Sequence, residues 1–127
     1  MTKRNQVYRC EKCGNLINVV HDADANLVCC GEEMKLLEPN TVDASQEKHV
    51  PIVEKNGNTV NISVGSVPHP MEKEHFIETI SILTDNRLYR LYLSPGDKPE
   101  ATFTIDGDIK GVRAYCNLHG HPLCLHQ

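Results

Sequence analysis

Lys110-Gly111-Val112-Arg113-Ala114-Tyr115-Cys116-Asn117-Leu118-His119-Gly120 joins a short strand to a turn able to bind metal. Alternation along the first seven residues sets Val112, Ala114 and Cys116 on one face of a strand and Arg113 and Tyr115 on the other. Cys116 is therefore expected at a strand end on the apolar side, shielded from water and held by the sheet. The thiol and the imidazole of His119 are three residues apart, and Gly120 lets the backbone turn tightly, so both can face one ion. A lone Cys-x-x-His arises by chance, so the weight falls on the rest of the chain.

Period two recurs around this strand. Val60, Ile62 and Val64 alternate with Asn61 and Ser63, and Phe103 and Ile105 alternate with Thr102 and Thr104. Lys55-Asn56-Gly57-Asn58 reads as a hairpin turn, with further turns at Asp85-Asn86 and Ser94-Pro95-Gly96-Asp97. His75 to Leu83 is ambiguous in period, but Ile77, Thr79, Ile80 and Ile82 favour a strand by β-branching. About seven short strands with regular turns imply an immunoglobulin-like sandwich or a small barrel. The tail from His121 to Gln127 reads as a frayed terminus with a free thiol at Cys124. Metal binding by Cys124 and His126 is the alternative.

The N-terminal part reads as a separate small β module, with Glu38 to Gln46 as the linker. Val7-Tyr8-Arg9 and Asn15 to Val20 are β-prone runs around a Cys10-Glu11-Lys12-Cys13-Gly14 turn, and a polar loop leads to Leu27-Val28-Cys29-Cys30-Gly31. A module this short cannot build a self-sufficient core and needs a metal or a partner chain. Cys10-x-x-Cys13, fifteen intervening residues and the adjacent pair Cys29-Cys30 offer four thiolates to a tetrahedral site, suiting zinc or a single iron. A disulfide between Cys29 and Cys30 would form only under strain.

Composition narrows the function classes. A net charge of -4, with 13 Lys and Arg scattered among 17 acids, argues against nucleic acid as a partner. No basic amphipathic segment or long apolar run points to a membrane, and the first residues lack the apolar segment of a signal peptide. A cytoplasmic protein is expected, in which six cysteines serve as ligands or reactive thiols. Two Phe and no Trp leave little aromatic mass for a core.

Four histidines accompany Cys116 in the second part: His49 in Glu47-Lys48-His49-Val50-Pro51, His69 in Pro68-His69-Pro70-Met71, His75 in Glu74-His75, and His119. Prolines near His49 and His69 stiffen the loops that present them. With the four N-terminal cysteines, these motifs resemble the desulfoferrodoxin family of two-iron superoxide reductases from Val7 to Gly120. The resemblance implies a mainly β fold, with a small rubredoxin/desulforedoxin-like module at 1–37 followed by an immunoglobulin-like β-sandwich at 38–127.

It also implies two mononuclear iron centres. One is held by Cys10, Cys13, Cys29 and Cys30, the other by His49, His69, His75 and His119 with Cys116 on the axis. Five ligands leave one position open opposite the sulfur for superoxide, and thiolate donation favours release of hydrogen peroxide over oxygen–oxygen cleavage. Backbone N–H groups of Leu118 and His119 would tune that donation. Lys48 would attract the anionic substrate and orient a water for proton delivery, and Glu47 would close the resting site.

A homodimer and an external electron donor such as rubredoxin are further implications. His21 and His121 are left as non-ligands, and the tail departs from the Trp-Lys ending common among relatives. Two other functions are weighed. A rubredoxin-like electron carrier would gain nothing from an open position, and a structural zinc module would not use five ligands of this kind.

Overall fold

The structure is a computed structural model that describes residues 1–37, 51–65 and 70–117, together with the backbone of the strand Leu123–His126. Among the described residues there are strands and turns and no helix. The chain divides into two compact units, Met1–Glu38 and Pro39–Gln127. The linker expected over Glu38 to Gln46 lies outside the described residues.

In the first unit, β1 (Val7–Arg9) is the centre of a three-stranded antiparallel sheet between β2 (Leu16–Asn18) and β5 (Lys35–Leu37). The two-residue strands β3 (Val28–Cys29) and β4 (Glu32–Glu33) form a separate ribbon. Buried apolar side chains are few: Val7, Val19, Met34 and Leu37, with Cys10 beside them at 3% exposure.

Among the described residues the second unit contributes seven strands in two sheets. β6 (Pro51–Asn56), β7 (Thr59–Val64) and β10 (Glu100–Thr104) form one, in the order β10-β7-β6. β8 (Ile77–Leu83), β9 (Leu88–Tyr92), β11 (Gly111–Cys116) and β12 (Leu123–His126) form the other, in the order β12-β11-β8-β9. The hairpin between β6 and β7 turns at Gly57-Asn58, with Gly57 at φ +62°. Positive φ at the first central residue alone is the type II′ arrangement, whose twist matches that of paired strands.

One cluster is built from both sheets: Val60, Ile62, Val64 and Ala101 from the first, and Ile77, Ile80, Ile82, Val112, Ala114 and Cys116 from the second. This is the alternation read from the sequence, and β-branched residues suit both inner faces. Ile80 is fully buried. Ile80→Ala should therefore lower stability by about 2–5 kcal/mol through lost burial and the cavity left behind. A lower denaturant midpoint at unchanged slope is the expected observation.

Two details differ from expectation. Tyr115, placed on the polar face of its strand, is only 7% exposed, and Ser81 on the neighbouring strand is buried too. β11 and β8 are the inner strands of their sheet, so side chains on their outer face are flanked on both sides. The tail does not fray: β12 pairs with β11 in the register Tyr115↔Leu123 to Val112↔His126. Backbone pairing with a buried strand outweighs the fraying expected of a chain end.

Candidate metal centres

The first centre is assembled by two turns. After β1, Gly14 at φ +80° donates its N–H to the Cys10 carbonyl at 2.9 Å, and the Cys10 N–H reaches the Asn15 carbonyl at 2.9 Å. This folds the Cys-x-x-Cys segment so that the Cys13 N–H points at Cys10 Sγ (3.5 Å) and the Asn15 N–H at Cys13 Sγ (3.4 Å). The other two thiols come from the β3–β4 turn. Cys30 at φ +53° and Gly31 at φ +77° are both left-handed, the type I′ pattern of a two-residue hairpin. A non-glycine residue there costs about 1–2 kcal/mol, and the turn directs adjacent cysteines into one site.

All four sulfurs lie within 4.8 Å of one another, with Cys13 to Cys29 at 3.6 Å and Cys29 to Cys30 at 4.0 Å. A tetrahedral ion about 2.3 Å from each sulfur would space them about 3.8 Å apart, so the residues fit a metal. Their acid–base behaviour agrees. The N–H of Cys13 holds the Cys10 thiol down to about 6 against the opposing effect of desolvation, whereas Cys30 is pushed up to about 12 because its proton is shared with Cys13 first, then Cys10 and Cys29. Protons thus hold together sulfurs that cannot all ionise side by side, and a cation would displace them.

A lowered thiol pKa favours the folded state above the unfolded value of 9.0 and loses that contribution as pH falls from there through about 6. Acidification through about pH 6 should accordingly loosen the metal-free turn, whereas a bound cation keeps the thiolates deprotonated to lower pH. Amide-exchange protection of the metal-free β3–β4 turn across pH 5–9 checks this; protection that does not fall on acidification through pH 6 would contradict it.

For the second centre the structure describes two of the candidate ligands. Cys116 ends β11, is 1% exposed, and pairs with Ile77 at the start of β8. Between Tyr115↔Thr79 and Cys116↔Ile77 the register shifts, leaving Glu78 as the extra residue on β8. Such a bulge turns the strand and returns Ile77 to the inner face beside Cys116. His75 lies two residues upstream, half-buried, with Nε2 shielded from solvent. Its turn is closed by reciprocal backbone hydrogen bonds with Glu72 at 2.9 and 3.0 Å.

Further contacts tie this turn down. Gly96 N–H donates to the Met71 carbonyl at 2.8 Å, and Ile77 N–H to Met71 Sδ at 3.4 Å. Asn117 reaches both sides of His75. Its Oδ1 accepts from Phe76 N–H (2.8 Å), its Nδ2 donates to the Glu74 carbonyl (3.4 Å), and its own N–H donates to the Phe76 carbonyl (3.1 Å). The sequence reading assigned Asn117 no role. The available signal was its residue type, one that bonds readily to backbone groups, between two candidate ligands. Glu47, Lys48, His49, His69 and His119 lie outside the described residues, as do the Leu118 and His119 backbone groups. Among the described residues no helix is long and apolar enough to cross a membrane.

Comparison with known proteins covers both units. The family model "Desulfoferrodoxin" matches residues 41–121, and "Desulfoferrodoxin, N-terminal domain" matches residues 2–37. A desulfoferrodoxin of Syntrophotalea carbinolica is 54% identical over 121 residues, 94% of this chain and 95% of that protein. A desulfoferrodoxin homologue of Archaeoglobus fulgidus is 52% identical over 120 residues, 94% and 96% of the respective chains. The crystal structure of the superoxide reductase from Treponema pallidum aligns over 96% of this chain and 97% of its own, with a TM-score of 0.77 at 26% identity.

Proposed function

The chain belongs to the desulfoferrodoxin family, and on that premise we propose that it is a superoxide reductase, converting superoxide to hydrogen peroxide without releasing dioxygen. The observation that carries this reading is a buried thiol, Cys116, held one β-bridge from the turn bearing His75. Nothing in a stabilising core requires a thiol at a strand end that pairs two residues from a histidine-bearing turn. Residues 1–37 are assigned to the four-cysteine module and 38–127 to the catalytic sandwich.

Iron held by His49, His69, His75, His119 and Cys116, with one position open, would supply the electron at that site. The chain's own contribution is geometric and electrostatic. Burial of Cys116 keeps water from its sulfur, and the strand pairing on both sides of β11 fixes its direction. Lys48 attracts the superoxide anion to a chain of net charge -4 and orders the water that delivers a proton. Glu47 closes the resting site. Cys10, Cys13, Cys29 and Cys30 hold the other iron. We further assign a cytoplasmic homodimer served by an external donor such as rubredoxin; cysteines gathered as a candidate metal cluster at Cys10, Cys13, Cys29 and Cys30 suit a reducing compartment.

The test is rapid mixing of the fully reduced protein with a small amount of superoxide. About one peroxide per superoxide and no dioxygen are expected. Half that peroxide with dioxygen would mean dismutation, and no reaction faster than spontaneous decay would leave an electron carrier. Lys48→Ile should slow the bimolecular step about tenfold at low salt with iron content intact, the difference shrinking as salt screens the charge. Equal rates at low salt would remove Lys48 from the mechanism.

A further inference from the structure

We infer that Asn117 is a positioning residue for the second centre: its side-chain carboxamide clamps the His75 turn to the end of the Cys116 strand. The inference rests on the reading of His75 and Cys116 as ligands of one metal. Their segments are 41 residues apart in sequence, and the β11–β8 pairing ends at Cys116↔Ile77, short of His75. Beyond that point the Asn117 side chain bridges them, gripping the backbone immediately before and after His75.

The chemistry is specific to asparagine. Phe76 N–H can only donate and the Glu74 carbonyl can only accept, so the orientation of the carboxamide is determined and both its ends are used. Aspartate would keep the shorter bond to Phe76 and lose the longer one to Glu74. Alanine would lose both and leave Phe76 N–H without its acceptor. Glutamine carries the same groups one methylene too far out. Because the ring of His75 is aimed by the backbone on either side of it, loosening that grip lets the imidazole drift relative to the sulfur. Groups that orient a ligand in this way typically matter about 10- to 100-fold in metal affinity.

The experiment is anaerobic ferrous-iron competition against a coloured chelator, with the visible spectrum of the oxidised protein recorded in parallel. Asn117→Ala should bind iron at the second centre about 10- to 100-fold more weakly and shift the thiolate-to-iron absorption band. Asn117→Asp, which keeps the bond to Phe76 and loses the one to Glu74, should fall between Asn117→Ala and the parent. The four-cysteine centre in the same chain is an internal reference expected to stay loaded. Asn61→Ala serves as a control, removing a side-chain hydrogen bond to Thr102 elsewhere in the same unit, and should leave affinity and spectrum unchanged.

Unchanged affinity and an unchanged band in Asn117→Ala would overturn the inference. So would an equal loss in Asn61→Ala, which would mark general instability. If Asn117→Ala does not fold, Asn117→Gln carries the same expectation, and parent-like affinity there overturns it. Full retention of the second iron in His75→Ala or Cys116→Ser would instead sink the ligand assignment beneath it. Iron lost from those two but kept in Asn117→Ala refutes the clamp alone.

Discussion

Cys116→Ser is expected to reduce the rate with superoxide more than 100-fold and to lower the iron content from two per chain to one. Losing a group that merely orients a ligand costs about 10- to 100-fold, and here the proposed ligand atom itself is replaced by a hydroxyl that does not ionise at neutral pH. Sulfur in this position also sets electron density at the metal, a property oxygen does not reproduce. The fold should survive. Serine is nearly isosteric, and burying its hydroxyl costs about 1–3 kcal/mol, below the roughly 5–15 kcal/mol that holds a domain together. Stopped-flow kinetics with metal analysis decides the matter; a rate within a few-fold of the parent would remove Cys116 from the site.

Cys10→Ser should act in the opposite place. Cys10 is the buried member of its cluster and receives the Cys13 N–H, so its loss removes a ligand and a turn contact at once. Structural zinc contributes an apparent 10–16 kcal/mol or so in comparable small modules, as much as the whole stability of an ordinary domain. With so few buried apolar side chains, the first unit has little to replace it. Amide exchange protection should therefore vanish from β1, β2 and β5. Among the described residues the buried core cluster of the second unit is drawn from Val60 to Cys116, and its protection and its reaction with superoxide should persist. Protection retained in β1 after the substitution would show that this unit folds without metal.

Much of this organisation could be read from local pattern. Period two in Val60-Ile62-Val64 and Val112-Ala114-Cys116 predicted the inner faces, because successive strand residues point to opposite sides whatever the sheet does elsewhere. The four-cysteine site was equally legible: a Cys-x-x-Cys turn and an adjacent pair constrain sulfur positions within a few residues. Resemblance to desulfoferrodoxin supplied the second ligand set, of which His75 and Cys116 lie among the described residues.

Other features depended on contacts far apart in sequence or on position within a sheet. Tyr115 is buried because β11 is an inner strand, and strand order is invisible to periodicity. The tail pairs with β11, a preference that Leu123 and Leu125 hint at but only a neighbouring strand can satisfy. The bulge at Glu78 arises from matching β8 to β11, and the hold of Asn117 on Glu74 and Phe76 spans more than forty residues. Residue type and spacing determine which atoms are able to bind a metal or fill a core, since those are local properties of the chain. Which atoms meet, and how firmly they are held, depends on hydrogen bonds between distant segments, and these exist only once the sheets have formed.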